Sequence, residues 1–88
     1  MKITTEFKGD DGSAMTVSFD EATNSFSTNQ GAKGAYKADA ATHTIAISSD
    51  QFSGTIRFEG AFVPKVGAVT RYSVSDGRSG LATIVDLE

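Results

Sequence analysis

The sequence has 88 residues, no cysteine, a net charge of −3 and a pI near 5.0, and it predicts a single domain over residues 1–88. The missing cysteine excludes disulfides, thiolate catalysis and cysteine-based zinc sites. The basic residues are scattered, so we expect no nucleic-acid partner, which would need clustered Lys or Arg. Since no apolar run has the length of a membrane span or signal peptide, we expect no membrane insertion. The sequence does not fix a location, and the lack of cysteine and of a signal peptide favours a cytoplasmic one.

Apolar and polar residues alternate along most of the chain, as is typical of half-buried β-strands. In the first segment, Ile3, Thr5 and Phe7 share one face and charged residues occupy the other. The predicted strands are Lys2–Lys8, Ser13–Phe19, Ser25–Thr28, Ala35–Ala38, Thr44–Ser48, Gly54–Phe62, Ala68–Val74 and Leu81–Leu87. This pattern predicts an all-β fold of about eight antiparallel strands joined by hairpins, either a small sandwich or a flattened barrel.

Two predicted hairpin loops resemble each other. The segment from Phe19 to Phe26 is echoed nineteen residues later by the segment from Ala38 to Ile45. Each fits a four-residue loop on a type I turn whose last residue has positive φ. Asn24 and His43 occupy that last position, and both residue types tolerate positive φ.

The only proline predicts a third hairpin, over Phe62–Gly67. Turn chemistry alone would pair Phe58 with Ser73. The buried face instead favours pairing Phe58 with Tyr72 and Ile56 with Val74, and strand register follows the buried face. We therefore predict the second register, with a β-bulge near Gly67.

The large apolar residues of the inward faces should form the core. We expect the most buried side chains to be Phe7, Val17, Phe19, Phe26, Ile45, Ile47, Ile56, Phe58 and Ile84. The last strand is apolar on both faces as far as Asp86. That pattern predicts a central strand, or one covered by a loop.

No group of residues converges on catalysis. His43 is the only histidine, and its echo of Asn24 favours a turn residue over a general base or metal ligand. The Gly9–Ser13 segment lacks the acidic spacing of a calcium loop and predicts a solvated turn. We expect no enzyme activity, no cofactor and no metal.

Four exposed charged residues are the candidate binding residues: Arg57, Glu59, Arg71 and Arg78. In the chosen register Glu59 lies opposite Arg71 and shares a face with Arg57, which predicts either a cross-strand ion pair or a polar recognition patch. Arg78 lies in the Ser75–Gly80 loop, which is long enough to be a contact loop.

The composition suits a non-enzymatic protein-interaction module, such as an inhibitor, adaptor or accessory domain, with a protein partner. A structural subunit of a larger phage or cell-surface assembly is the alternative. A carrier of a small apolar ligand is possible, because eight strands can enclose one small molecule. It is less favoured, because bulky residues should fill the interior: Phe7, Phe19, Phe26, Phe58, Phe62 and Tyr36.

Overall fold

A computed structural model describes residues 1–49, 53–60 and 65–88. The strands are β1 (Lys2–Gly9), β2 (Ala14–Asp20), β3 (Ser25–Thr28), β4 (Lys33–Asp39), β5 (Thr44–Ser49), β6 (Ser53–Phe58), β7 (Val69–Val74) and β8 (Ser79–Leu87). Each strand pairs antiparallel with the next, and β8 pairs with β1 to close a barrel. The predicted all-β fold is confirmed. No helix among the described residues is long and apolar enough to cross a membrane.

Most strand ends lie within one residue of prediction, and three differ by more. β4 begins at Lys33 rather than Ala35, because Lys33 and Gly34 pair with β3. β8 begins at Ser79, which pairs with β7. β6 ends at Phe58, and the predicted end at Phe62 lies outside the described residues.

The two similar hairpins form as predicted. Asn24 has φ of 52° and His43 has φ of 54°, and they are the only non-glycine residues with positive φ in the described part of the chain. Their loops pair Phe19 with Phe26 and Ala38 with Ile45. His43 is therefore a turn residue whose place in the chain is set by backbone conformation.

The predicted register of β6 and β7 is also confirmed. Phe58 lies opposite Tyr72 and Ile56 lies opposite Val74. Gly67 has φ of 90°, a conformation that glycine adopts without steric cost. The remainder of the proline hairpin, 61–64, lies outside the described residues, so its turn and bulge stay predictions.

Nearly all of the predicted core is buried. The side chains expected there that are buried are Phe7, Val17, Phe19, Phe26, Ile45, Ile56, Phe58 and Ile84. Phe7 packs edge-on against Tyr72, with ring centroids 5.0 Å apart. The prediction is wrong for Ile47, which is only half-buried and whose side chain borders a cavity.

The outer face of β8 is not covered as expected. Leu81 and Val85 are 47% and 45% exposed. In a barrel each strand has one inward and one outward face, so the apolar residues on the second face of β8 lie on the surface.

Candidate functional site: a cavity at the open end of the barrel

The up-and-down order of the strands places alternate connections at opposite ends of the barrel. The connections after β1, β3 and β7 and the end of β5 at Ser49 lie at one end, which we call the open end. The β2–β3 and β4–β5 hairpins lie at the other, which we call the packed end. There, Ile3, Ile45 and Phe58 are buried in the interior, whereas the Phe19–Phe26 pair beside the β2–β3 hairpin faces a cavity.

A cavity of about 640 Å³ enters the barrel at the open end. Its aromatic lining is Phe7, Phe19, Phe26 and Tyr72. Its aliphatic lining is Met15, Val17, Ile47, Ile56 and Val74. The expectation that bulky side chains fill the interior is therefore wrong for the described residues. Phe7, Phe19 and Phe26 line the cavity, Phe58 is buried at the other end, and Tyr36 packs edge-on against Phe19 at 5.1 Å. Phe62 lies outside the described residues.

The β1–β2 turn forms one side of the cavity rim. The Asp11 carboxylate accepts hydrogen bonds from the backbone N–H of Ser13 at 2.9 Å and from its hydroxyl at 2.6 Å. Gly12, with φ of 88°, lets the chain reverse. The hydroxyl and backbone hydrogen bonds from Ser13 lower the pKa of Asp11, so this carboxyl is ionised at neutral pH.

Asp10 joins three parts of the barrel next to the rim. Its carboxylate accepts a hydrogen bond from the Ser79 hydroxyl at 2.8 Å and pairs with Arg71 at 2.5 Å. These contacts link the β1–β2 turn to β7 and β8. The Ser79 hydrogen bond and the Arg71 guanidinium lower the pKa of Asp10.

The other turns of the rim are held by side chains that bond to the backbone. In the β7–β8 turn, Asp76 accepts the Arg78 backbone N–H at 3.0 Å and pairs with its guanidinium at 2.7 Å. In the β3–β4 turn, the Thr28 hydroxyl accepts the N–H of Ala32 at 3.1 Å. Such local bonds are typical of Asp, Ser and Thr in turns, and they give the rim a defined shape.

The four predicted binding residues do not converge. Arg78 lines the cavity, whereas Arg57, Glu59 and Arg71 are exposed on the outside of β6 and β7. The backbone N–H of Glu59 donates to the Arg71 carbonyl at 3.0 Å, as the register requires. The Arg71 side chain pairs with Asp10 and not with Glu59 as predicted. Asp10 lies in the β1–β2 turn, on the other side of β8 from β7.

Sequence reasoning missed the rim and the cavity wall. Asp10, Asp11 and Ser13 fall in a segment predicted to be only a solvated turn, and Ser79 falls in the Ser75–Gly80 loop, predicted as a contact loop and not as part of a cavity rim. The parity of the turns was the available signal, because every second turn of an up-and-down barrel falls at the same end. The cavity itself has no signature in the sequence, because it depends on how the inward side chains pack across the barrel.

Comparison with protein-family models, curated proteins and solved structures finds no match to this chain. Within the described residues, no group of three or more His, Asp or Glu side chains is placed to hold a metal ion. The chemistry that the site offers is therefore an apolar chamber with a polar, charged rim.

Proposed function

We propose that the protein binds a small apolar molecule in the cavity at the open end, without catalysis. The observation that carries this proposal is the cavity itself. Its volume of about 640 Å³ lies within the roughly 300–1,000 Å³ of small-molecule sites, which are concave, mostly apolar and bordered by a few polar groups. An eight-stranded barrel is wide enough to hold one small ligand.

Burial of apolar surface supplies the driving force. Met15, Ile47 and Val74 line the cavity and are only half-buried. A ligand in the cavity would remove their remaining surface from water, and each Å² of apolar surface buried stabilises the complex by about 25 cal/mol before the costs of association.

We propose binding and not catalysis because the carboxylates at the rim already accept hydrogen bonds that hold the turns. Asp11 accepts from Ser13, and Asp10 accepts from Ser79 and pairs with Arg71. His43 belongs to a hairpin at the packed end. Neither the rim carboxylates nor His43 pairs a nucleophile with a base inside the cavity.

The test is a titration with N-phenyl-1-naphthylamine, a neutral dye whose fluorescence rises in apolar surroundings. We expect saturable binding at one site. Val74→Phe places a ring in the cavity and should abolish the binding. Val69→Phe adds the same ring to the outside of the same strand, where Val69 is 58% exposed, and should leave it unchanged. Equal effects of the two variants, or no binding to the parent, would refute the proposal.

Protein interaction is the second candidate, and the outer face of β7 and β8 favours it. Val69, Leu81 and Val85 are all large, apolar and about half exposed. Val69 lies opposite Thr83, so Leu81 and Val85 are its diagonal neighbours, within contact distance for large side chains. Contiguous apolar surface of this kind marks interaction sites, whereas scattered apolar residues do not.

The partner that this face fits is a second copy of the chain. Arg71 lies opposite Leu81 on this face, and Glu59 lies beside Arg71 across the β6–β7 pair, so charges of both signs border the apolar residues. A surface that carries both signs around an apolar centre can pair with itself across a two-fold axis, each Glu meeting an Arg of the other copy. Self-association of this kind is also what the alternative function, a structural subunit of a larger assembly, would require.

Light scattering over a range of concentrations tests this candidate. We expect a mass above that of the monomer that falls when Leu81→Asp places a carboxylate in the apolar centre. Ala46→Asp puts the same group on the exposed outer face of β5 and should not change the mass. A monomer at every concentration would remove the second candidate.

A further inference from the structure

The charges around the cavity mouth differ in how completely they are compensated. Among the charged groups that line the cavity, Asp10 pairs with Arg71 and Arg78 pairs with Asp76. Asp11 accepts its hydrogen bonds from the uncharged backbone N–H and hydroxyl of Ser13. The Arg78 charge also lowers the pKa of Asp11, but the Arg78 guanidinium pairs with Asp76. The carboxylates of Asp10, Asp11 and Asp76, set against Arg71 and Arg78, leave the mouth with one excess negative charge.

Nearby lysines do not cancel this charge. Lys8 and Lys33 lie on strands that reach the open end, and both are exposed. Lys8 follows the inward-facing Phe7, and Lys33 precedes the inward-facing Gly34. Both lysine side chains therefore lie on the outside of the barrel. The mouth is the place where a ligand's polar end would meet the carboxylate.

Aromatic rings lie beneath the mouth. Phe7 and Tyr72 form a perpendicular pair that lines the cavity. Tyr72 lies within the range at which the charges of Asp10, Asp11 and Arg78 act on its hydroxyl. The face of an aromatic ring attracts an organic cation. A carboxylate at the mouth above aromatic walls favours a positive group over a negative one.

We infer that the ligand of this cavity is a small organic cation, an amine or quaternary ammonium with an apolar body. This inference rests on the proposed function and specifies its ligand class. The apolar body occupies the chamber lined by Val17, Phe19 and Phe26. The positive group lies at the mouth beside Asp11. A carboxylate ligand of the same size would bring like charges together there.

Three probes with one apolar body test the sign of the charge: octylammonium, octanol and octanoate, each competing with N-phenyl-1-naphthylamine. We expect octylammonium to bind most tightly and octanoate least tightly. Each step should be about two- to fivefold, as is typical of one charge pair near the surface. Octanoate binding as tightly as octylammonium would overturn the inference while leaving the proposed function intact.

A pair of matched variants tests the position of the charge. Asp11→Asn removes the charge but keeps the oxygen that accepts the Ser13 N–H. Asp39→Asn makes the same change at the packed end, where Asp39 accepts the Ala41 N–H at 2.9 Å. Asp11→Asn should weaken octylammonium about two- to fivefold and leave octanol unchanged, whereas Asp39→Asn should change neither.

The other outcomes distinguish the role of Asp11, the ligand class and the proposed function from one another. Equal weakening of octylammonium by both variants would assign the preference to the net charge of the whole protein and overturn the role of Asp11. Failure of all three octyl compounds to displace a dye that does bind would overturn the inference alone. Failure of the dye and of the octyl compounds to bind at all would refute the proposed function as well.

Discussion

The two ends of the barrel are built by different rules. At the packed end, two four-residue loops reverse the chain through Asn24 and His43 at positive φ, and large side chains such as Phe58 fill the interior. At the open end, Asp11 and Thr28 hold their turns by bonds to nearby backbone N–H groups, and the interior is hollow. The same alternating strands therefore pack a core at one end and leave a chamber at the other.

The largest expected difference between the two ends is in the cost of truncating an inward side chain. Phe58→Ala should lower the free energy of unfolding by about 3–5 kcal/mol, because it opens a new cavity in a filled region. Ile47→Ala should cost roughly 1–2 kcal/mol, because this side chain already borders empty space and loses fewer contacts. Urea denaturation of the three proteins measures both values. Equal costs would mean that the two ends are packed alike.

A smaller effect is expected from the backbone at the packed end. His43→Asn should leave the melting temperature nearly unchanged, because asparagine accepts positive φ. His43→Val should cost about 1–2 kcal/mol, because a β-branched residue is strained at positive φ. Thermal denaturation compares them. A tolerated valine together with a damaging asparagine would show that the imidazole itself is needed.

The smallest effect concerns the contacts of Asp10 beside the open end. Its folded-state pKa is lowered by the hydrogen bond from Ser79 and by Arg71, so the ionised carboxylate stabilises the folded protein. That contribution is fully present above the unfolded-state pKa and is lost as the pH falls through the folded-state pKa. Asp10→Asn should therefore melt below the parent protein at neutral pH, and the gap should close in acid. A gap that stays constant with pH would contradict this role for the charge.

The sequence was most informative where structure depends on neighbours in the chain. The alternation of Ile3, Thr5 and Phe7, the positive φ at His43 and the register at Phe58 could all be predicted, because each follows from local periodicity or turn chemistry. The cavity and the Asp10–Arg71 pair could not. Both bring together residues that are distant in sequence, and their geometry depends on how the barrel closes.

The exposed face of β8 shows the same limit from another side. Alternation is absent there, and two apolar faces predict a central strand or one covered by a loop. β8 does have a neighbour on each side, yet Leu81 and Val85 on its outer face are exposed. The register with β1 and β7 places Leu81 on the outside, and Val85, which the β1–β8 register skips at an irregularity, is also exposed. A pattern in one strand therefore predicts that its faces are apolar, but the closed sheet decides which of them meets water.

The central claim is that a ligand enters the open end and leaves the packed end untouched. Methyl chemical shifts in ¹³C-labelled protein, recorded during a titration with octanol, test it most directly. We predict shifts at the cavity-lining methyl groups of Met15, Ile47 and Val74, and no shifts at the buried methyl groups of Ile3. Shifts confined to the outer residue Leu81, or spread equally over both ends, would contradict the account.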